Sequence, residues 1–127
     1  MKDENRKAVD VVKISKLGDR WIVRPARVYV APGDDVIFAT EGTAVTICIP
    51  KAELFEIPEA GATLGKMLTF EIGRGAHGSI KIKNGKVAAE LKRETKRIKC
   101  PYAVYCRDGD DFAEGASSPV MIIDNPP

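Results

Sequence analysis

One histidine, His77, is all the imidazole this chain of 127 residues has, and with 6% aromatic residues it has little ring surface either. A single imidazole excludes by counting any metal centre that needs two. No Cys-x-x-Cys pair, Gly-rich phosphate loop or paired-carboxylate pattern occurs, so no enzyme class has its signature here. Long apolar runs are also missing. Nothing approaches the roughly 20 consecutive apolar residues of a membrane span, and the opening Met1-Lys2-Asp3-Glu4-Asn5-Arg6-Lys7 has no apolar stretch of the signal-peptide kind. The expectation is a cytoplasmic chain, or a periplasmic one if an exported precursor was trimmed. Neither sign of charge dominates: 20 basic against 18 acidic residues leave a formal net charge of +2, too small to imply nucleic acid or an anionic membrane.

A helical period is absent over any useful length, and short β-type runs separated by turn residues take its place. The expected strands are 9–15, 20–23, 27–30, 35–40, 44–49, 67–72, 78–83, 102–106 and 120–124. Leu17-Gly18-Asp19, Ala31-Pro32-Gly33-Asp34, Glu41-Gly42 and Asn84-Gly85 lie between them and supply the left-handed or proline-fixed backbone of tight turns. Asn84-Gly85, between Ile80-Lys81-Ile82-Lys83 and Lys86-Val87-Ala88, is the strongest hairpin signal. The Ile-Lys alternation in 80–83 puts one face of that strand in the core and the other in water. Two segments depart from the pattern: 51–56, expected as a helical turn after Pro50, and 88–96, readable as a helix or as a charged strand. The length suits one domain, 1–127, with its core in about 9–124. The fold class that follows is an all-β sandwich with at most a turn or two of helix.

Three cysteines cannot all pair within one chain. Cys100 and Cys106 close the two ends of one expected strand, roughly 20 Å apart if extended, beyond the ~7 Å limit for a disulfide. Cys48 has the opposite parity to Val45, Ile47 and Ile49, so it points away from the core if they face it. Free thiols are expected.

Val28-Tyr29-Val30-Ala31-Pro32-Gly33-Asp34-Asp35-Val36-Ile37-Phe38 places a Pro-Gly-Asp turn ahead of an apolar strand, and Tyr102-Ala103-Val104-Tyr105-Cys106 ends an apolar strand on a cysteine. A loop and a last strand, Pro119-Val120-Met121-Ile122-Ile123-Asp124, follow. Together these resemble the cupredoxin family over about 28–124, which implies a Greek-key β-sandwich. The resemblance also implies where copper ligands would stand. Val45 occupies the place of a histidine after the polar turn 40–44, and the loop after Cys106 has neither the family's histidine nor its methionine. Type 1 copper needs a thiolate and two imidazoles, so that centre cannot form.

The remaining candidates each have a plain reading. Cys106 is read as a small buried hydrophobe, with a residual metal or redox thiol as the alternative. His77, in Gly73-Arg74-Gly75-Ala76-His77-Gly78, is read as an exposed loop residue. Asp108, Asp110, Asp111 and Glu114 crowd one loop in a spacing that fits no EF-hand, and Ser117-Ser118 have no base beside them. Residues 81–99 carry eight basic residues against Glu90 and Glu94, whereas 100–127 sets Arg107 against five acids. That asymmetry is read as a solvated face, with docking of an acidic protein partner as the alternative.

The functional expectation is a monomeric, non-catalytic interaction or structural module without cofactor, partner unidentified. The alternative is a soft-ligand copper protein using Cys106 with Met121, His77 or Cys48, because thiolates and thioethers favour Cu(I).

Overall fold

Strict alternation of inward apolar and outward polar side chains organises the chain. In the computed structural model, which describes residues 9–85, 97–108, 111–113 and 119–124, Val36, Phe38 and Thr40 point inward from one strand. Val45, Ile47 and Ile49 do so from the next, followed by Leu68, Phe70 and Ile72. Branched and aromatic residues at period two fit a pleated surface with one buried side, which is why these segments are strands.

The strands described are β1 (Val9–Leu17), β2 (Arg20–Arg24), β3 (Arg27–Val30), β4 (Asp35–Thr40), β5 (Val45–Ile49), β6 (Phe55–Glu56), β7 (Gly61–Leu64), β8 (Met67–Ile72), β9 (His77–Ile82), β10 (Arg97–Pro101), β11 (Ala103–Cys106), β12 (Asp111–Phe112) and β13 (Val120–Asp124). They form sheets of order β2-β1-β4-β9-β6, β12-β11-β5-β8-β7 and β10-β13-β3. β1 runs parallel to β4, and β13 parallel to β3; the other pairings are antiparallel. The run from Arg97 to Cys106 passes from the third sheet to the second at Tyr102, whose amide donates to the Pro119 carbonyl at 3.1 Å. The second and third sheets are thereby joined into one bent layer facing the first.

One apolar cluster fills the space between the layers and draws residues from all three sheets. Phe38 sits at its centre, meeting Phe70 and Tyr102 edge-on at centroid distances of 5.9 and 5.6 Å. Such pairs contribute about 0.5–1.5 kcal/mol beyond their area. The result is an all-β Greek-key sandwich of cupredoxin-like type, with a single 3-10 turn, Ala52–Leu54, among the described residues. The Pro-Gly-Asp turn is as the sequence implies. Gly33 takes φ +90°, the Asp34 amide donates to the Ala31 carbonyl, and the Asp34 carboxylate accepts from the Ala31 amide.

Several expectations need correction. The strand expected at 102–106 begins at Arg97 and bends at Tyr102, because Pro101 lacks an amide hydrogen and the next amide bonds elsewhere. The helical turn expected at 51–56 is a 3-10 turn that gives way to β6 at Phe55. β6, β7 and β12 are additional short strands. Asn84-Gly85 does not open a hairpin on β9, since Lys81 and Ile82 already pair with Glu56 and Phe55 of β6 on one flank. On the other, Lys81 pairs with Asp35 and the Ile82 amide donates to the Asp34 carbonyl. The hairpin's other arm, Lys86-Val87-Ala88, and the segment 88–96 lie outside the described residues.

Candidate functional site

β5 begins and β11 ends at the same tip of the sandwich. Their antiparallel register pairs Val45 directly with Cys106, and Val45 pairs with Ile72 of β8 on its other side. Residues paired in this way share a face, with Cβ atoms about 4.5–5.5 Å apart. Val45 and Cys106 have no solvent exposure and Ile72 is 3% exposed, so the tip beneath the turn is packed apolar volume.

The turn over it satisfies its own polar groups. Thr40 Oγ1 donates to the Thr43 carbonyl at 2.8 Å and Thr43 Oγ1 to the Ala44 carbonyl at 2.9 Å. Ala44 accepts a second bond, from the Arg107 amide at 2.9 Å, and the Asp108 amide donates to Thr43 Oγ1 at 3.0 Å. Thr40 and Thr43, polar and buried, are thus accounted for. Outside this web, Arg107 pairs with Glu71 at 2.6 Å and Arg74 with Asp108. An open cleft of about 560 Å³ lies alongside. Its charged groups are engaged within the chain, as Lys16 stands 5.7 Å over the Trp21 ring and Arg74 meets Asp108.

The four residues considered for a soft metal site are not brought together. Cys48 faces Ala103 on the outward side of the second sheet, opposite to the side of Cys106. His77 is exposed and pairs with Ala39 on the first sheet. Met121 is buried beside Val28 and Cys100 on the third sheet, at the far end of the run that finishes on Cys106. Asp110, Glu114, Ser117 and Ser118 lie outside the described residues. Among the described residues, no group of three or more His, Cys, Asp or Glu side chains is placed to hold a metal ion. The donor set does not fit type 1 copper, since the only histidine of the chain is on the other layer from Cys106.

The sequence reading missed the juxtaposition of Cys100 and Met121, register partners that are both fully buried. Alternation along 98–106 carried half of that signal, since Cys100, Tyr102, Val104 and Cys106 all face inward. Burial pushes the Cys100 thiol up to about 11, against the opposing pull of the Lys51 cation nearby. It pushes the Tyr102 phenol well above its ordinary range too, and the Tyr102 hydroxyl is buried without a hydrogen-bond partner. The three cysteines form no disulfide.

Strand order and this closed tip define a cupredoxin-like β-sandwich without a type 1 copper centre. Among solved structures the chain is similar to a Cu(I) form of a mutant of amicyanin, with 13% identity and a TM-score of 0.49 over 95% of this chain and 87% of that one. The reduced Cu(I) form of another amicyanin mutant at pH 4 gives 12% and 0.48 with the same coverage. An oxidised mutant of amicyanin gives 13% and 0.47, again over 95% and 87%. At these identities and scores the likeness says nothing of what this chain binds. No protein-family model and no curated protein matches the chain.

Proposed function

We propose that the chain is a non-catalytic module that acts through its surface, as an interaction or structural partner of another protein. The observation that carries this reading is Val45 facing Cys106, both fully buried, where an electron-transfer relative would need a ligand pair. Among the described residues, a packed apolar tip with its polar turn closed on itself offers no open coordination position and no group poised for proton transfer.

The surface has features suited to docking. Tyr29, Ile57 and Leu64 are 53%, 56% and 69% exposed and offer apolar contact points. β7 is the outer strand of its sheet, and an outer strand can accept another chain by backbone pairing. Lys51, Lys66, Lys83 and Lys99 lie at the end of the sandwich opposite Cys106. There Lys51 Nζ donates to the Lys99 carbonyl, the Ala52 amide to the Lys66 carbonyl and the Lys83 amide to the Leu54 carbonyl. Glu53 and Glu56 stand among these lysines, so the end carries mixed charge and acidic groups of a partner would be met by the lysines alone.

The soft-copper alternative keeps one supporting observation, the buried Cys100 and Met121 pair, and loses the four-residue set centred on Cys106. An anaerobic titration of the reduced protein with Cu(I) against a competing chelator separates the two readings, followed by oxidation and a visible spectrum. Failure to compete, and no intense thiolate-to-copper band, is the expected result. Stoichiometric copper uptake overturns the module reading, and its loss in Cys100→Ala or in Cys106→Ala says which thiol holds the ion.

A further inference from the structure

The outer strands of the two layers, β6 and β7, are joined by residues 57–60, which cross from one sheet to the other at the end opposite Cys106. β6 is only two residues long, so the layers are incompletely closed there and a cleft of about 420 Å³ enters between them. Phe55 and Ala52, 0% and 6% exposed, are part of its lining, as is the half-exposed Ile57. Lys66 and Lys83 stand on the rim with one acid, Glu53. Backbone bonds hold both lysines to the 3-10 turn, Ala52 donating to the Lys66 carbonyl and Lys83 to the Leu54 carbonyl, each at 2.9 Å. Neither lysine side chain has an ion pair or hydrogen bond among the described residues.

A concave space of about this volume falls in the range of small-molecule sites, roughly 300–1,000 Å³. Two unengaged ammonium groups against one carboxylate leave the rim net positive. We propose that this cleft binds a small amphipathic carboxylate, its apolar body over Ile57 and its anionic head at Lys66 and Lys83. Ile57 supplies the exposed apolar surface, and the lysines set the sign of the head group. Glu53 opposes the anion and sets an upper limit on affinity. This site shares Ile57, Lys66 and Lys83 with the docking surface proposed above, but its test needs no protein partner.

Decanoate, kept below its micelle concentration, is the probe, titrated into the intact chain and followed by amide shifts in a two-dimensional NMR spectrum and by calorimetry. Saturable one-to-one binding is expected, with shifts centred on Ala52–Ile57, Thr63–Lys66 and Lys83. Lys66→Glu with Lys83→Glu should weaken it tenfold or more, Glu53→Gln should tighten it, and decanol or decylamine should bind at least tenfold less well. The substituted side chains are on the rim, so thermal melts should show that the variants fold. The inference is overturned by shifts that never saturate, by shifts centred on the Trp21 cleft, or by equal binding of decanol and decanoate in the wild-type and double-glutamate proteins.

Discussion

Val45→Thr is the sharpest test of whether the tip beneath the polar turn is dry core. The substitution keeps volume nearly constant and exchanges a methyl for a hydroxyl. Val45 has no exposure and lies between Cys106 and Ile72. The Ala44 carbonyl in the turn already accepts two bonds, from Thr43 Oγ1 and the Arg107 amide. A hydroxyl brought there without a partner costs about 1–3 kcal/mol. With a urea slope of about 1–3 kcal/mol per molar, a loss of about 2 kcal/mol moves the unfolding midpoint down by roughly 1 M. Val45→Ala is the companion: it leaves a void and should cost about 1.5–3 kcal/mol. Both are read by urea titration followed by tryptophan fluorescence and far-ultraviolet dichroism, at unchanged slope. If Val45→Thr costs less than about 0.5 kcal/mol, water or a polar group reaches the site and the packed-tip reasoning fails.

Thiol accessibility should split the cysteines: Cys48, partly exposed, reacts with a disulfide reagent in the native protein, while Cys100 and Cys106 wait for unfolding, and equal rates at all three would contradict their burial. Alkaline stability should fall early. Burial raises the Cys100 thiol from an ordinary 9.0 to about 11 and lifts the Tyr102 phenol above 10.0, so the native state holds protons that the unfolded chain has released. That contribution is whole below about pH 9 and is lost as pH rises, at roughly 1.4 kcal/mol per pH unit for each group between its unfolded and folded values. Urea midpoints from about pH 8 to about pH 10.5 should therefore decline, with a shallower limb between about 9 and 10 in Cys100→Ala, and an identical profile in that variant would refute the assignment. Arg107→Ala should cost under about 1 kcal/mol, because its pair with Glu71 is half-exposed on both sides and screened by salt; a larger loss would mean the pair braces the turn.

The strands were readable wherever a β-branched or aromatic residue recurred at every second position, as in Val36-Ile37-Phe38 or Phe70-Glu71-Ile72. The meeting of Val45 with Cys106 was legible only through the family resemblance, since nothing local to either residue specifies their register. Phe55–Glu56 and Gly61–Leu64 escaped notice because two or four residues with little alternation carry no periodic signal. Their pairing is set by tertiary neighbours. The same holds for Cys100 and Met121: parity showed Cys100 facing inward, but its partner depends on β13 lying between β10 and β3, a matter of strand order. The cleft at the end opposite Cys106 was invisible for a related reason, being a gap left by two short outer strands far apart from Lys83 in sequence. Asn84-Gly85 misled because turn chemistry reports a local preference, whereas both flanks of β9 had been taken by other strands.

β13 is the latest strand in the sequence among those described, yet it occupies the middle of its sheet, between β10 and β3. During synthesis β3 is made early and has no neighbour in that sheet until residues 120–124 emerge. At about 5–20 residues per second, the intervening stretch of chain keeps two unpaired strand edges open for several seconds. Any truncation or stalled translation product ending before Val120 would present those edges, one of them carrying Tyr29, to other copies of itself. β13 thus acts as a clasp, and the nascent chain keeps those edges adhesive until that clasp closes.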